Sequence, residues 1–479
     1  MQSVMIVRSI VGKFNDKTLI FNERRINTIH LKEVLVNSDV LKVIPNVSLV
    51  CDLANKGVRI SNWITITTLK MLACDDSIYT SNPTNLMITK WMERVYRNSS
   101  KEVLEREINL GPILMELTLN GIGFDLDNWM KELEEKRKKL NELKKEIQHL
   151  LDIPTLDVDD TFQLAKACKA RAIILKSFTI DYLISIKDEV PIAKLLLKYQ
   201  NIKNFIKRYG DNLESHLSTL NRIHGDWHGC GAFSGRMSCS KPNLQALPSE
   251  AKKYFMPKND YVLISADYSQ QELKMLAELS GCSRLRKAFT DGVDVHLLTA
   301  SYLFNLEMKN ITSQQREIAK KVNCSIIYGI TGYGLAKYLS KALKQDVTLA
   351  KANQLKEKFF EAYPNVFQYQ DALLTSTNIF SKGGRTFNTY ECYMKASLKL
   401  NLPIQSSSAE GMKEALIYLY QNKPKNWFIC NCIHDQIYLE VPSKEIEEAK
   451  ELLEKSMILG MEKFIKSVPV SVTLEVIKN

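Results

Sequence analysis

The sequence lacks what would place it in a membrane or an oxidising compartment. No apolar run reaches the roughly 18 residues of a spanning helix. The opening Met1-Gln-Ser-Val-Met-Ile-Val-Arg8 has too short an apolar core for a signal peptide. Ten cysteines are scattered without a single C-x-x-C pair, which argues against zinc-ribbon and thioredoxin-like motifs and suits a reducing environment. Cys430 and Cys432 sit in an apolar strand-like run, where alternation points both thiols to one face. They are expected to be small buried hydrophobes rather than zinc ligands. Glycine (19) and proline (13) are sparse, and there is no internal repeat or low-complexity tail. Collagen-like, solenoid and disordered chains are thereby excluded. Residues 1–100 contain no Asp-x-Glu pair, and Asp52 stands isolated there.

What remains is an ordinary globular composition, 45% apolar and 25% charged over 479 residues. That length suits two or three domains or one large multilobed body. The net charge of +11 and pI near 8.9 favour an anionic partner, nucleic acid among them. Ser3–Val7 and Val47–Asp52 look like short strands alternating with helical pieces, which predicts a small α/β region over residues 1–100. From about residue 102 the texture is helical. After the turn Gly121-Ile-Gly-Phe-Asp125, Met130, Leu133, Leu140, Leu143, Ile147 and Leu150 recur at helical spacing in a Lys/Glu-rich background, predicting a long amphipathic helix. More helices are expected over 156–220, with cations gathered in Lys194–Arg208. Loops and extended segments follow through Pro248. Tyr261–Asp267 reads as a buried strand, 270–380 as a helical block, and 427–441 as a hairpin around Ile433-His-Asp-Gln436.

Asp267 and Asp435 each end or interrupt a rigid apolar strand run. Alone, such a residue is more often a cap or turn. Brought together, two such carboxylates could hold a pair of divalent cations about 3.5–4 Å apart, activating an attacking oxygen and stabilising a leaving phosphate. Arg316, Lys320, Cys324 and Tyr328 are spaced by fours along a helix and span about 18 Å, enough for a triphosphate, a sugar and a base. Arginine and lysine suit phosphate oxygens, and a tyrosine ring offers a flat surface to a base.

At this point the chain resembles the family A DNA polymerases, the DNA polymerase I-like group. Asp267-Tyr-Ser-Gln-x-Glu272-Leu is similar to that family's first palm motif. Arg316-x3-Lys320-x7-Tyr328-Gly329 is similar to its fingers-helix motif, and His434-Asp435 to its second palm motif. Ser234-Gly-Arg236-Met-Ser238, Pro242-Asn-Leu-Gln245, Asp294-x-His296, Tyr363-Pro364 and Asn401-x-Pro-x-Gln405 appear in the family's order. The resemblance implies an α+β, right-hand polymerase with an antiparallel palm sheet, helical fingers and thumb, and a small N-terminal α/β domain. It divides the chain into a reduced, inactive exonuclease-like domain (1–100), a helical thumb (101–222), palm (223–282), fingers (283–400) and palm again (401–479). No room is expected for a separate 5′-nuclease.

The implied roles are specific. Asp267, Asp435 and the Tyr268 carbonyl would hold two Mg2+ ions, with Mn2+ able to substitute. Arg316, Lys320, His296 and Gln270 would hold the nucleotide, Lys320 also protonating the departing pyrophosphate. Glu272 would be the sugar gate, Cys324 would meet the incoming sugar, and Tyr328 would floor the base-pair pocket. Arg236, Gln245, Tyr333, Asn401, Gln405 and His434 would touch DNA. Partners would be primer–template DNA and deoxynucleoside triphosphates, with no membrane, and the protein a monomer. The cytoplasm is the implied location, whether of a bacterium or of the host of a phage or plasmid, with an organelle left open. Cys324 departs from the family's Phe or Tyr, Gln436 from its usual acid, and Gln271 from an apolar residue. Two alternatives stay open: a catalytically dead DNA-binding paralogue and a related single-subunit RNA polymerase, the latter opposed by Glu272.

Overall fold

The computed structural model describes residues 3–6, 18–21, 24–27, 35–36, 40–44, 46–55, 59–61, 63–73, 85–210, 213, 218, 220–343, 346–390 and 394–478. The chain divides into two compact units. One comprises Met1–Ile122, His224–Gln245 and Pro257–Asn479, the other Gly123–Ile223 and Ala246–Met256. Among the described residues no helix is long and apolar enough to cross a membrane.

In the first unit, strands β1 (Ser3–Ile6), β2 (Val40–Ile44) and β3 (Trp63–Thr65) form a parallel sheet in that order. The segment expected as a strand over Val47–Asp52 is instead part of helix α1 (Val47–Asn55). The reason is periodicity: buried Val47, Val50 and Cys51 recur at threes and fours, and the Asn46 side chain accepts from Leu49 N at 3.0 Å, an N-cap. A short apolar run fits either period, and here the cap decides. Helix α2 (Lys101–Asn120) carries the unit onward.

The second unit is helical. Its longest element, α3 (Leu126–Leu151), starts at Asp125, whose side chain accepts from Asn128 N, and stops at Asp152 in a left-handed conformation. The buried seam runs through Trp129, Leu133, Leu143, Ile147 and Leu151. The expected Met130 is only partly buried and Leu150 is exposed. The seam advances by fours at both ends, and each step shifts the inward face by 40°, so Trp129 and Leu151 take those places. Helices Thr161–Ala170, Ile180–Ile186 and Pro191–Tyr209 complete its core.

The first unit's main sheet is antiparallel. Strands β4 (Tyr261–Tyr268), β5 (Phe428–Ile433), β6 (Gln436–Pro442) and β7 (Val472–Ile477) run in the order β5-β6-β4-β7. Val262 to Ala266 are buried without interruption, the mark of a strand covered on both faces. Cys430 and Cys432 are buried as expected, as are Cys51, Cys168, Cys230, Cys239 and Cys282. Between β4 and β5 lie α4 (Gln271–Ser280), α5 (Val295–Phe304), α6 (Ser313–Ile327), α7 (Gly332–Leu343) and α8 (Ala396–Asn422). Helix α9 (Ile446–Glu462) follows β6 and packs on β4, β6 and β7, and α8 packs on α9 and α2.

Two features fix α8. Its buried charges are paired: Lys413 bonds Glu107, and Arg106 Nε meets Glu414 at 2.7 Å. Glu410 accepts from Ser381 Oγ (2.7 Å) and Gly383 N (2.9 Å). Such pairs cost little while complete and a great deal when one partner is removed. The second feature is close backbone approach. A Cβ on Gly460 would lie 2.4 Å from Ala415 N and 2.6 Å from its Cα, so the α8–α9 crossing has room only for hydrogen. Gly460→Ala is expected to force the helices apart and lower unfolding free energy by about 1–3 kcal/mol. This would be read as a lower urea midpoint at unchanged slope; an unchanged midpoint would refute the tight crossing.

Candidate active site

Strand β4 is apolar and buried up to Ala266, and its next side chain, Asp267, is exposed. Its partner in register is Gln436. The β5–β6 loop is only His434-Asp435, between the paired Ile433 and Gln436. Tyr268 N donates to the Asp435 carbonyl at 3.2 Å. The register thus brings Asp435, in the loop, opposite Tyr268 and so one residue along from Asp267, although the two acids are remote in sequence. Tyr268 itself is anchored, its side chain buried and its hydroxyl donating to Met457 O at 2.6 Å.

Burial pushes the Asp435 carboxyl above its ordinary range; its own backbone hydrogen bond opposes this, the charge of Glu272 adds to the push, and His434 and Arg236 oppose it more weakly. A partly desolvated carboxyl with a second acid close by is a surrounding in which a divalent cation relieves charge. Among the described residues no group of three or more His, Cys, Asp and Glu is arranged to hold a metal. Asp267 and Asp435 could therefore hold one only with carbonyl, water and ligand oxygens filling its shell, the habit of hard cations.

Backbone conformation is unusual at both carriers. His434 has φ 53° and Gln270, which opens α4, has φ 54°. Left-handed non-glycine residues of this kind cost about 1–3 kcal/mol each and cluster at functional sites.

Glu272, on the first turn of α4, joins two distant elements. One carboxylate oxygen meets Arg236 Nη2 at 2.5 Å and the other accepts from the Tyr328 hydroxyl. Burial and then this carboxylate raise the Tyr328 phenol well above its usual pKa, and Gln405 also bonds it. Tyr328 caps the end of α6. The following Gly329 has φ +64°, and a Cβ there would lie 2.4 Å from Leu400 Cδ1. Only glycine satisfies both conditions.

The α6 helix begins with a Thr312/Gln315 capping box. Arg316 Nε donates to Asp294 Oδ2 at 2.7 Å, while Asp294 Oδ1 caps α5 by accepting from His296 N (2.9 Å) and Leu297 N (3.0 Å). His296 is buried, and Asn323 Nδ2 lies 2.9 Å from its Nδ1. Burial lowers its pKa, and Arg316 and Lys320 lower it further while Asp294 opposes them. Lys320 and Cys324 are exposed on the same helix. Arg236, Gln245, Cys432 and His434 line one small cleft with Met412, and Gln245 Nε2 donates to Cys432 O at 3.0 Å.

Not every expected residue joins these groups. Tyr333 stands 73% exposed on the first turn of α7, and among the described residues its side chain meets none of them. Asn401 turns its side-chain oxygen inward, without a hydrogen-bond partner among the described residues. Gln270 is exposed. The departures acquire local roles. Gln436 Oε1 accepts from Tyr438 OH at 3.0 Å. Buried Gln271 donates to Ser408 O at 3.1 Å and so ties α4 to α8. Sequence reasoning missed Asn323 and gave Asp294 no role of its own. The signals were present: a polar residue on the apolar Ala319–Val322–Ile326 face, and an aspartate just before a helix.

The chain matches the model for "DNA polymerase family A" over residues 127–479. It is 29% identical over 376 residues to DNA polymerase I of Caldicellulosiruptor bescii, covering 72% of this chain and 43% of that one. It is 30% identical over 307 residues to DNA polymerase I of Aquifex aeolicus, covering 61% and 52%. The chain thus spans about half the length of these curated relatives. A solved structure described as the POL domain of Pol1 from M. smegmatis in complex with DNA primer-template and dNTP aligns with TM-score 0.83 at 22% identity, over 96% of this chain and 92% of that one. The helix-rich α+β fold is therefore that of a polymerase I polymerase domain, and the chain belongs to DNA polymerase family A.

Proposed function

We propose that this protein is a template-directed DNA polymerase that adds deoxynucleotides to a primer 3′-hydroxyl and has no proofreading activity. One observation carries the reading: the β4–β6 register that brings Asp435 opposite Tyr268, next to Asp267, with Glu272 of the following helix bonded to Tyr328 at the end of the helix bearing Arg316 and Lys320. Primer–template DNA and deoxynucleoside triphosphates are the substrates we assign, in keeping with the complex described for the M. smegmatis domain.

Asp267, Asp435 and the Tyr268 carbonyl hold two divalent cations in this reading, Mg2+ in the first instance, with Mn2+ able to replace it. Those ions, when bound, acidify the primer hydroxyl and offset charge on the triphosphate. The chain's own residues then bind and orient. Arg316 exchanges Asp294 for triphosphate oxygens. His296, held neutral by burial and by neighbouring cations, supplies a hydrogen bond rather than a charge. Lys320 gives a proton to the departing pyrophosphate as the 3′-oxygen bonds to the α-phosphorus. Tyr328 floors the pocket for the new base pair. Glu272, fixed at both oxygens, forms a rigid wall against a 2′-hydroxyl. Arg236, Gln245, Asn401, Gln405 and His434 serve the primer–template end, where minor-groove acceptors shared by all correct pairs allow shape to be checked. Gln270 lies toward the nucleotide and Tyr333 stacks beside the template.

In this assignment residues 101–222 act as thumb, 283–400 as fingers, and 223–282 with 401–479 as palm. Residues 1–100 form an exonuclease-like remnant, short of the Asp-x-Glu pair that a metal-dependent 3′-nuclease requires. We read the enzyme as a cytoplasmic monomer.

Primer extension tests the reading. Asp267→Ala and Asp435→Ala are each expected to cut synthesis by about 10²–10³-fold or more at near-parent thermal stability, and a mismatched primer end is expected to survive incubation with metal. Retained synthesis in either variant would remove that residue from the mechanism. Duplex binding without any synthesis by the parent would favour a dead paralogue, and a preference for ribonucleotides would favour an RNA polymerase. Glu272→Ala should raise ribonucleotide use by about tenfold to a hundredfold, measured as a ratio of kcat/KM; an unchanged ratio would refute the wall. Cys324→Tyr should place a hydroxyl where a dideoxy sugar lacks its own and raise relative dideoxynucleotide incorporation by about tenfold, the worth of one good hydrogen bond. Unchanged relative incorporation would remove residue 324 from sugar contact.

A further inference from the structure

The His296–Asn323 contact holds information that the roles above do not use. Asn323 is fully buried, and its Nδ2 lies 2.9 Å from Nδ1 of His296. Its own Oδ1 is also buried, with no hydrogen-bond partner among the described residues. A side-chain amide offers two N–H donors and one acceptor oxygen, and a neutral imidazole offers one N–H and one bare nitrogen. When the amide nitrogen faces Nδ1, Nδ1 must be bare and the ring proton must sit on Nε2. No hydrogen bond to Nε2 is present among the described residues. That nitrogen is left for a ligand.

We propose that Asn323 is a positioning residue that fixes the tautomer of His296, presenting Nε2–H as a neutral donor to an oxygen of the incoming triphosphate. This rests on the polymerase reading for the identity of the ligand, but the tautomer itself does not. With the opposite tautomer, Nε2 would present a lone pair to an anion and repel it. The amide therefore decides whether the histidine attracts or rejects a phosphate. Its placement explains why a polar residue occupies the buried face of α6. The charged groups acting on the ring are Asp294 at the start of its own helix, and Arg316, Lys320 and Glu317 from α6. These two helices pack against each other. With two cations already close, a neutral donor adds attraction without further repulsion among the positive groups.

The direct experiment uses the full chain labelled with 15N-histidine. Two-bond 1H–15N correlation spectra identify the protonated ring nitrogen, and a His296→Gln spectrum assigns the signals. The parent is expected to hold the Nε2–H tautomer at neutral pH. Asn323→Leu, which removes the amide at similar volume, should give a mixture. Asn323→Asp, whose carboxylate only accepts, should give the Nδ1–H form. In primer extension both variants should raise KM for the nucleotide by about tenfold with much smaller changes in kcat. Acidification should restore KM further in Asn323→Asp than in Asn323→Leu, because the carboxylate favours the imidazolium and so supplies both N–H groups. An Nδ1–H tautomer in the parent, or the parent tautomer in both variants, overturns the proposal. So does an unchanged KM in variants whose tautomer has moved. If the parent shows no synthesis, the polymerase reading fails while the spectra still decide the tautomer.

Discussion

One pairing governs the site: the antiparallel register of β4 with β6. Gln436 opposes Asp267, and the Tyr268 amide bonds the Asp435 carbonyl. A slip of one residue would turn every side chain of β4 to the opposite face, removing Asp267 from its partner. The register is held because Val262, Leu263, Ile264 and Ala266 are all buried, so a slip would also expose or misfit the core. Stability and site geometry are thus one constraint at this point. The sheet's apolar contacts hold Asp435 partly out of water, and its raised pKa records that burial first and the nearby charge of Glu272 after it.

Around that pair, functional groups are held by other functional groups. Glu272 takes both Arg236 and Tyr328, and Asp294 takes Arg316 while capping α5. Glu272 therefore fixes a cation and a phenol in place, and Asp294 fixes a cation and a helix start. Buried Gln271 and the charge pairs of Arg106, Glu107, Lys413 and Glu414 do for the scaffold what these contacts do for the site. They give helices a single seating where apolar packing alone would permit sliding.

Much of this was legible in the sequence, for a physical reason. Tyr261–Asp267, the 427–441 hairpin and the 316–329 helix each combine a strong period with a break that stops it, and the structure has β4, β5–β6 and α6 there. Val47–Asp52 was not legible, because a short apolar run fits both periods and Asn46 tips the balance. The α3 seam was legible in its middle and displaced at its ends, where aromatic Trp129 competes with Met130 for the interior. Hydrogen bonds between distant residues were hidden altogether. Arg236 reads locally as a DNA-contacting cation, and nothing near it announces Glu272. Asn323 shows only that a polar residue interrupts an apolar face, and His296 has to fold against it before the interruption acquires a meaning.

Strand β7 alters how the boundary of the site should be drawn. Thr473 and Val472 pair with Asp267 and Tyr268, and Ser269 N donates to Ser471 O at 2.9 Å. No side chain of β7 is among the site residues named above, yet among the described residues this ribbon is the neighbour β4 has on that edge. Peel it away and Asp267 would hang from a half-bonded strand, free to wander beside an intact Asp435. The last segment to join the sheet is thus the latch on the first acid, and an enzyme trimmed there could keep its fold and lose its aim.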